Sequence, residues 1–170
     1  MSKAFTREEN AGPEIPDLPP LVSPLPEGAR NYMTATGAQR LRDELAQLVN
    51  EKRPPLATAT DDPDAKRQLA LLDQRIRQLE QSLQSAEIVA RPNGALETVR
   101  FGSTVTVREE SGEESIYRIV GVDETDFERG WVSARSPIAR ALLNKKLGAR
   151  VRFRSPSGEQ DLEIIAIGYD

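Results

Sequence analysis

Two aspartates, Asp61 and Asp64, stand three positions apart in the run Thr60-Asp61-Asp62-Pro63-Asp64-Ala65. Carboxylates in such a pair can serve as ligands to a hard cation such as magnesium. The chain contains neither cysteine nor histidine, so carboxylates are its only plausible metal ligands. Disulfides, thiolate nucleophiles, imidazole bases and His/Cys zinc sites are all excluded. The same acids also have a structural use. Asp62 is a good N-cap, Pro63 suits the first helical position, and Asp64 favours the positive end of a helix dipole. A metal clamp and a solvated helix start both remain open for Asp61 and Asp64 at this point.

The flanking residues say how such a tip is held. Leu69, Leu72, Ile76, Leu79, Leu83 and Ala86 recur at alternating steps of three and four, and so do Ala38, Leu41, Leu45 and Leu48. This is a heptad seam, with the apolar side chains on one stripe of each helix. The pattern predicts an antiparallel α-helical coiled-coil hairpin over residues 31–90, with its acidic tip near 60–64. The first helix is expected to start with a threonine cap at Thr34 or Thr36 and to run to about Arg53. Pro54-Pro55 lack backbone donors and disfavour helix at Arg53, so a kink or local break is expected there. The second helix is expected to run from Asp62 to about Glu87, with Pro92-Asn93-Gly94 ending it. Unpaired leucines of the seam could also join a second copy.

On either side the pattern changes. Residues 1–30 hold six of the 12 prolines, with Ile15, Leu18, Leu21, Val22 and Leu25 scattered among them without period. They read as a proline-rich flexible tail, or as a strap laying Phe5 or the leucines on the body. From Val99 the period is two: Val105 and Val107, a turn at Ser111-Gly112, Ser115 to Val120, then Trp131-Val132. Ser136-Pro137 caps a short helix carrying Ile138, Ala141, Leu142 and Leu147, and a hairpin from Val151 to Ile167 with its turn at Pro156-Ser157-Gly158 closes the chain. Residues 91–170 therefore form an α+β domain, an antiparallel sheet with one short helix on a face.

Composition narrows the function classes. The formal net charge is −4, from 23 basic and 27 acidic residues mixed along the chain. No segment is a basic arm, so an autonomous grip on nucleic-acid phosphates is not expected, and any nucleic-acid role runs through a partner. No stretch is long and apolar enough to span a bilayer, and no secretion signal opens the chain, so a cytoplasmic location is the expectation.

Several of these segments carry a resemblance. Met1 to Glu8, Tyr32-Met33-Thr34 with Gly37 and Arg40 to Leu45, Arg53-Pro54, and Arg75-Ile76-Arg77 through Ile88-Val89 are similar to the Gre family of bacterial transcription elongation factors, most of all its GreB branch. Phe101 to Val105, Tyr117 to Gly121, Asp123-Glu124, and Ser136-Pro137 to Leu143 resemble that family's C-terminal domain. The resemblance implies a coiled coil followed by an FKBP-like domain, and RNA polymerase as the partner. It implies that the globular domain docks at the rim of the polymerase secondary channel while the hairpin enters it. Asp61 and Asp64 would then help hold a Mg2+ ion of the polymerase active site, and Asp123, Glu124, Ser136 and Pro137 would face the rim. The chain would have no catalytic residues of its own, and nucleic acid would be met only through the elongation complex.

The chain departs from that pattern in three ways. The glycine, serine and asparagine that accompany the family's tip acids are absent. Asp61 follows Arg53 by only eight positions where the family usually has about fifteen, and the return to Arg75-Ile76 is shorter by about six, so each arm is about one heptad short. At about 1.5 Å per residue this removes about 10 Å of reach, whereas a carboxylate–magnesium bond spans about 2 Å. Arg135 precedes Ser136-Pro137 where the family often has Asp or Asn, and a sign change at a charged contact can repel the usual partner surface. The expectation is an elongation factor with weak or absent cleavage stimulation. A non-catalytic channel binder like Rnk, competing with longer Gre factors, is the second reading. A prolyl isomerase or chaperone built on the FKBP-like domain is the third.

Overall fold

The structure is a computed structural model that describes residues 25–59, 61–93, 97–155 and 158–169. The proline-rich tail through residue 24, and residues 156–157 of the last turn, lie outside the described residues. A strand β1 (Asn31–Thr34) leads into helix α1 (Ala35–Gln47), a π-helical turn (Leu48–Lys52) and helix α2 (Arg53–Thr58). Helix α3 (Pro63–Ser85) returns and passes into strand β2 (Ala86–Val89). The body follows: β3 (Thr104–Glu109), β4 (Glu114–Val120), a 3-10 turn (Val122–Glu124), β5 (Trp131–Ser133), α4 (Pro137–Leu142), β6 (Arg150–Ser155) and β7 (Gly158–Gly168).

The leucine seam holds the two arms together. Met33, Ala38, Leu41, Leu48, Ile76 and Leu79 are buried in one cluster, with Leu45, Leu72, Leu83 and Ala86 packed against it. Two ion pairs brace the outside, Arg53 to Asp73 and Arg75 to Glu44, both at 2.8 Å. As the first arm advances from residue 44 to 53, its partner retreats from 75 to 73, so the arms run antiparallel. The guanidinium of Arg53 is pushed above its ordinary pKa, chiefly by its hydrogen bonds to Asp73.

The arm does not break at Pro54-Pro55. Instead, the helix widens just before them: the Arg53 N–H donates to the Leu48 carbonyl, five residues back. Widening moves the carbonyls that the proline rings would otherwise strike, and the two prolines then occupy the first turn of α2, where no donor is missed. A π turn also spends one extra residue without advancing the stripe, which brings Leu56 back to a half-buried position while Pro55 stays exposed.

Helix α3 begins as expected, with Asp62 Oδ1 accepting from the Asp64 N–H at 2.9 Å. Asp62→Ala is accordingly expected to lower stability by about 1 kcal/mol, seen as a lower midpoint in urea followed at 222 nm. Its end differs from the expectation. The helix stops at Ser85, and Ala86–Val89 pair in parallel with Asn31–Thr34 to form a small two-stranded sheet at the base of the arms. The β-branched Ile88-Val89 favours an extended chain.

In the body the five strands lie in the order β5-β4-β3-β7-β6. Alternation places Val105 and Val107 in the core at 0% exposure, beneath Ile119, Leu162 and Ile164, and α4 covers them with Ile138, Ala139 and Leu142. The sheet is antiparallel except at one edge, where β4 and β5 pair in parallel, Arg118 opposite Trp131. Leu147 does not join the α4 face. The helix ends at Leu142, and Leu147 stays half exposed. Among the described residues no helix is long and apolar enough to cross a membrane.

Candidate functional site

At the far end of the arms Asp61, Asp62 and Asp64 are all exposed. Asp62 is committed to capping α3, and among the described residues neither Asp61 nor Asp64 forms an ion pair. No group of three metal-ligating side chains converges among the described residues. The described tip residues form a patch of negative charge.

At the near end the arms are fixed to the body by residues that the sequence assigned elsewhere. Glu124 was expected on the polymerase-facing surface; it is 1% exposed. One carboxylate oxygen accepts from the Thr34 N–H and from the Gly121 N–H, each at 2.9 Å, while the other takes a short hydrogen bond from the Thr34 hydroxyl. Thr34 is also the N-cap of α1, its hydroxyl oxygen accepting from Gly37 N–H at 2.9 Å. A carboxylate of the body therefore grips the first residue of the rod. The fit requires glycine on both sides. A Cβ on Gly37 would stand 1.8 Å from Glu124 Oε1, and one on Gly121 would stand 2.2 Å from the Tyr32 carbonyl oxygen.

Asp123 works beside it. Its carboxylate accepts a short hydrogen bond from the Ser82 hydroxyl of α3 and a longer one, 3.4 Å, from the Asn31 amide of β1. Asn31 also donates to the Ser82 carbonyl and to Ser85 Oγ, both at 3.1 Å. Thus Asp123 holds the returning arm while Glu124 holds the outgoing one. Arg40 of α1 adds a bond to the Glu124 carbonyl at 3.3 Å, and Arg118 of β4 donates to Thr36 Oγ1 at 3.4 Å. The pair is a mounting bracket for the rod. Burial corrects the docking expectation for Glu124, since a carboxylate with three internal donors and no solvent exposure has nothing left to offer a partner.

Ser136 and Pro137 are placed differently. Ser136 Oγ caps α4 by accepting from the Ala139 N–H at 3.2 Å, and Pro137 is exposed. The loop just before them, Ser133 to Arg135, lines an apolar cleft of about 480 Å³ together with Tyr32, Phe101, Val120 and Leu143. Arg135 is exposed at its edge. The structure therefore brings Asp123 and Glu124 together at the bracket, leaves Ser136 and Pro137 on the body, and keeps Asp61 and Asp64 at the opposite end of the rod.

Residues 93–169 match the family model described as transcription elongation factor GreA/GreB, C-terminal. The protein named transcription elongation factor GreA from Alkalilimnicola ehrlichii is 39% identical over 153 residues, a match covering 81% of this chain and 96% of that one. The chain belongs to the GreA/GreB family. Relatives of both names match: transcription elongation factor GreB from Pseudomonas aeruginosa is 36% identical over 150 residues, covering 81% of this chain and 89% of its own. Among solved structures, GreA factor homolog 1 (Gfh1) of Thermus thermophilus is 25% identical and covers 82% of this chain and 99% of its own, at a TM-score of 0.40. In this GreA/GreB family member, sequence reasoning found the tip, the seam and the caps. It missed the roles of Asn31, Gly37, Ser82 and Gly121. Each is a small or polar residue whose part depends on a contact dozens of positions away, and no local period records that.

Proposed function

We propose that this protein binds RNA polymerase as an elongation factor of the GreA/GreB type, entering the secondary channel with a coiled-coil rod borne on an FKBP-like body. The observation that carries the reading is an exposed acidic tip at the end of a leucine-seamed hairpin whose base is locked to the body by Glu124 and Asp123. A rod that is stiff along its length and fixed at its base transmits the position of the body to the tip. That is what a factor needs if it docks outside an enzyme and acts inside it.

Transcript-cleavage stimulation is weak or absent in this reading. Asp61 and Asp64 would supply only part of the shell of a Mg2+ ion of the polymerase active site, and arms about one heptad short leave them about 10 Å from it. The exposed acids of the tip also suit a second reading, a channel binder that competes with longer factors and changes the local potential without chelation. Both readings make polymerase the partner and the protein itself no enzyme.

Incubating a backtracked elongation complex with the protein and magnesium separates them from an ordinary cleavage factor. The expected result is capture by core polymerase, little shortening of the RNA beyond what polymerase does alone, and unchanged capture when Asp61→Ala and Asp64→Ala are combined. Fast shortening that the double substitution abolishes would overturn the weak-cleavage proposal. Failure of core polymerase to retain the protein would overturn the reading as a whole.

A further inference from the structure

The apolar cleft at the base of the rod is lined by Asn31 and Tyr32 of β1 and, from the body, by Phe101, Val120, Ala134 and Leu143. Tyr32 is 40% exposed there, and its ring centroid stands 6.1 Å from that of Phe101, the planes tilted by 57°. An open trough with two aromatic rings in it is the kind of surface that takes apolar side chains from an extended, proline-rich segment.

The chain itself leads into this cleft. Leu25, the first described residue after the proline-rich tail, is one of the lining residues, and so are Ala29 and Arg30. Between them the chain reverses. The Ala29 N–H donates to the Pro26 carbonyl at 3.0 Å, and Gly28 stands at φ +75°, as the third residue of a type II turn requires. A Cβ on Gly28 would meet nothing within 4 Å, so the glycine serves the backbone of the turn and not a close contact. The turn lays Leu25 back beside the start of β1, in the same cleft.

The tail supplies side chains that match. Ile15, Leu18 and Leu21 follow neither the helical nor the strand period, but they stand three apart, which is the repeat of a polyproline II helix. In that conformation they share one edge. Glu14 and Asp17 fall on a second edge, and Pro13, Pro16, Pro19 and Val22 on the third. Five prolines between positions 13 and 24 favour that conformation in advance and reduce the entropy lost on docking.

We infer that residues 15–22 lie along this cleft as a strap in polyproline II form, seating Leu18 and Leu21 against Tyr32 and Phe101. At about 3.1 Å per residue, Leu21 stands about 12 Å of chain from Leu25 and Leu18 about 22 Å, within reach of a cleft that Leu25 already enters. So short a tether gives the strap an effective concentration in the millimolar range, which favours it over the same segment of another molecule. Tyr32 belongs to the base of the rod and Phe101 to the body, so the strap closes over the joint that Glu124 and Asp123 hold. Nothing in this contact requires polymerase, and its test contains none.

The sample is the full chain, isotopically labelled, followed by nuclear magnetic resonance. Nuclear Overhauser contacts are expected from the Leu18 and Leu21 methyl groups to the Tyr32 and Phe101 rings. Combining Leu18→Ser with Leu21→Ser should shift the ring signals of Tyr32 and Phe101 and the amide signal of Ala134. Val22→Ser, on another edge of the strap, should leave all of them in place. Absence of tail-to-ring contacts in the wild type would overturn the inference. Equal shifts from Val22→Ser and from the double substitution would overturn the seating of Leu18 and Leu21. Contacts seen only between differently labelled copies in a mixed sample would give the cleft to a second molecule and overturn the strap.

Discussion

Glu124→Ala is expected to lower the stability of the protein by about 4 kcal/mol, a large effect for one side chain. The alanine leaves the Thr34 N–H, the Thr34 hydroxyl and the Gly121 N–H without their shared acceptor in a site closed to solvent. It also empties the space that both glycines were selected to leave open. Urea unfolding followed by Trp131 fluorescence is well suited to detect it, because Arg40 of the rod stacks on that ring and separation of rod from body changes its surroundings. Gly37→Ala supplies the internal control. Its clash is with the glutamate side chain, so the alanine should cost much less in a Glu124→Ala background than in wild type. Gly121→Ala meets the backbone of Tyr32 instead, and removal of the carboxylate should not rescue it. A loss under about 1 kcal/mol for Glu124→Ala would show that the bracket is not what holds the rod.

The second large effect is a gain. Inserting one heptad into each arm, with leucines continuing the seam, is expected to raise cleavage of backtracked RNA by at least about tenfold and to make it depend on Asp61 and Asp64. The register survives a seven-residue insertion, so Leu48, Ile76 and Leu79 keep their partners while the tip advances by about 10 Å. A four-residue insertion in each arm serves as the control. It lengthens the rod but rotates the stripe away from the seam, and it should weaken the hairpin without conferring cleavage. If the lengthened protein binds polymerase and still leaves RNA uncut, reach is not the limitation. The missing glycine, serine and asparagine around the acids then carry the difference.

The features legible in the sequence were those written in local periods. The heptads named Ala38, Leu41, Leu48, Ile76 and Leu79, and these are the residues that pack. Thr34, Asp62 and Ser136 each cap the helix they precede. The two-residue period placed Val105 and Val107 in the core. The misreadings came from contacts between distant segments. The resemblance set Glu124 on a partner-facing surface; its donors come from Thr34, 90 positions back, and from a glycine N–H, which carries no sequence signal. Ala86-Glu87 looked like the last residues of a helix because the pairing partner of this segment is β1, 55 positions away. Trp131 read only as part of a short strand, and the structure shows three cations gathered on it.

The π turn over Leu48–Lys52 fixes more than the packing of the first arm. It holds one residue beyond what an α-helix would use for the same rise. Removing that residue would close an ordinary turn and swing everything beyond it by about 100° about the helix axis. The compass bearing of the acidic end is therefore set separately from its distance. The seam length determines how far Asp61 and Asp64 extend, and five residues halfway along determine the direction in which they face.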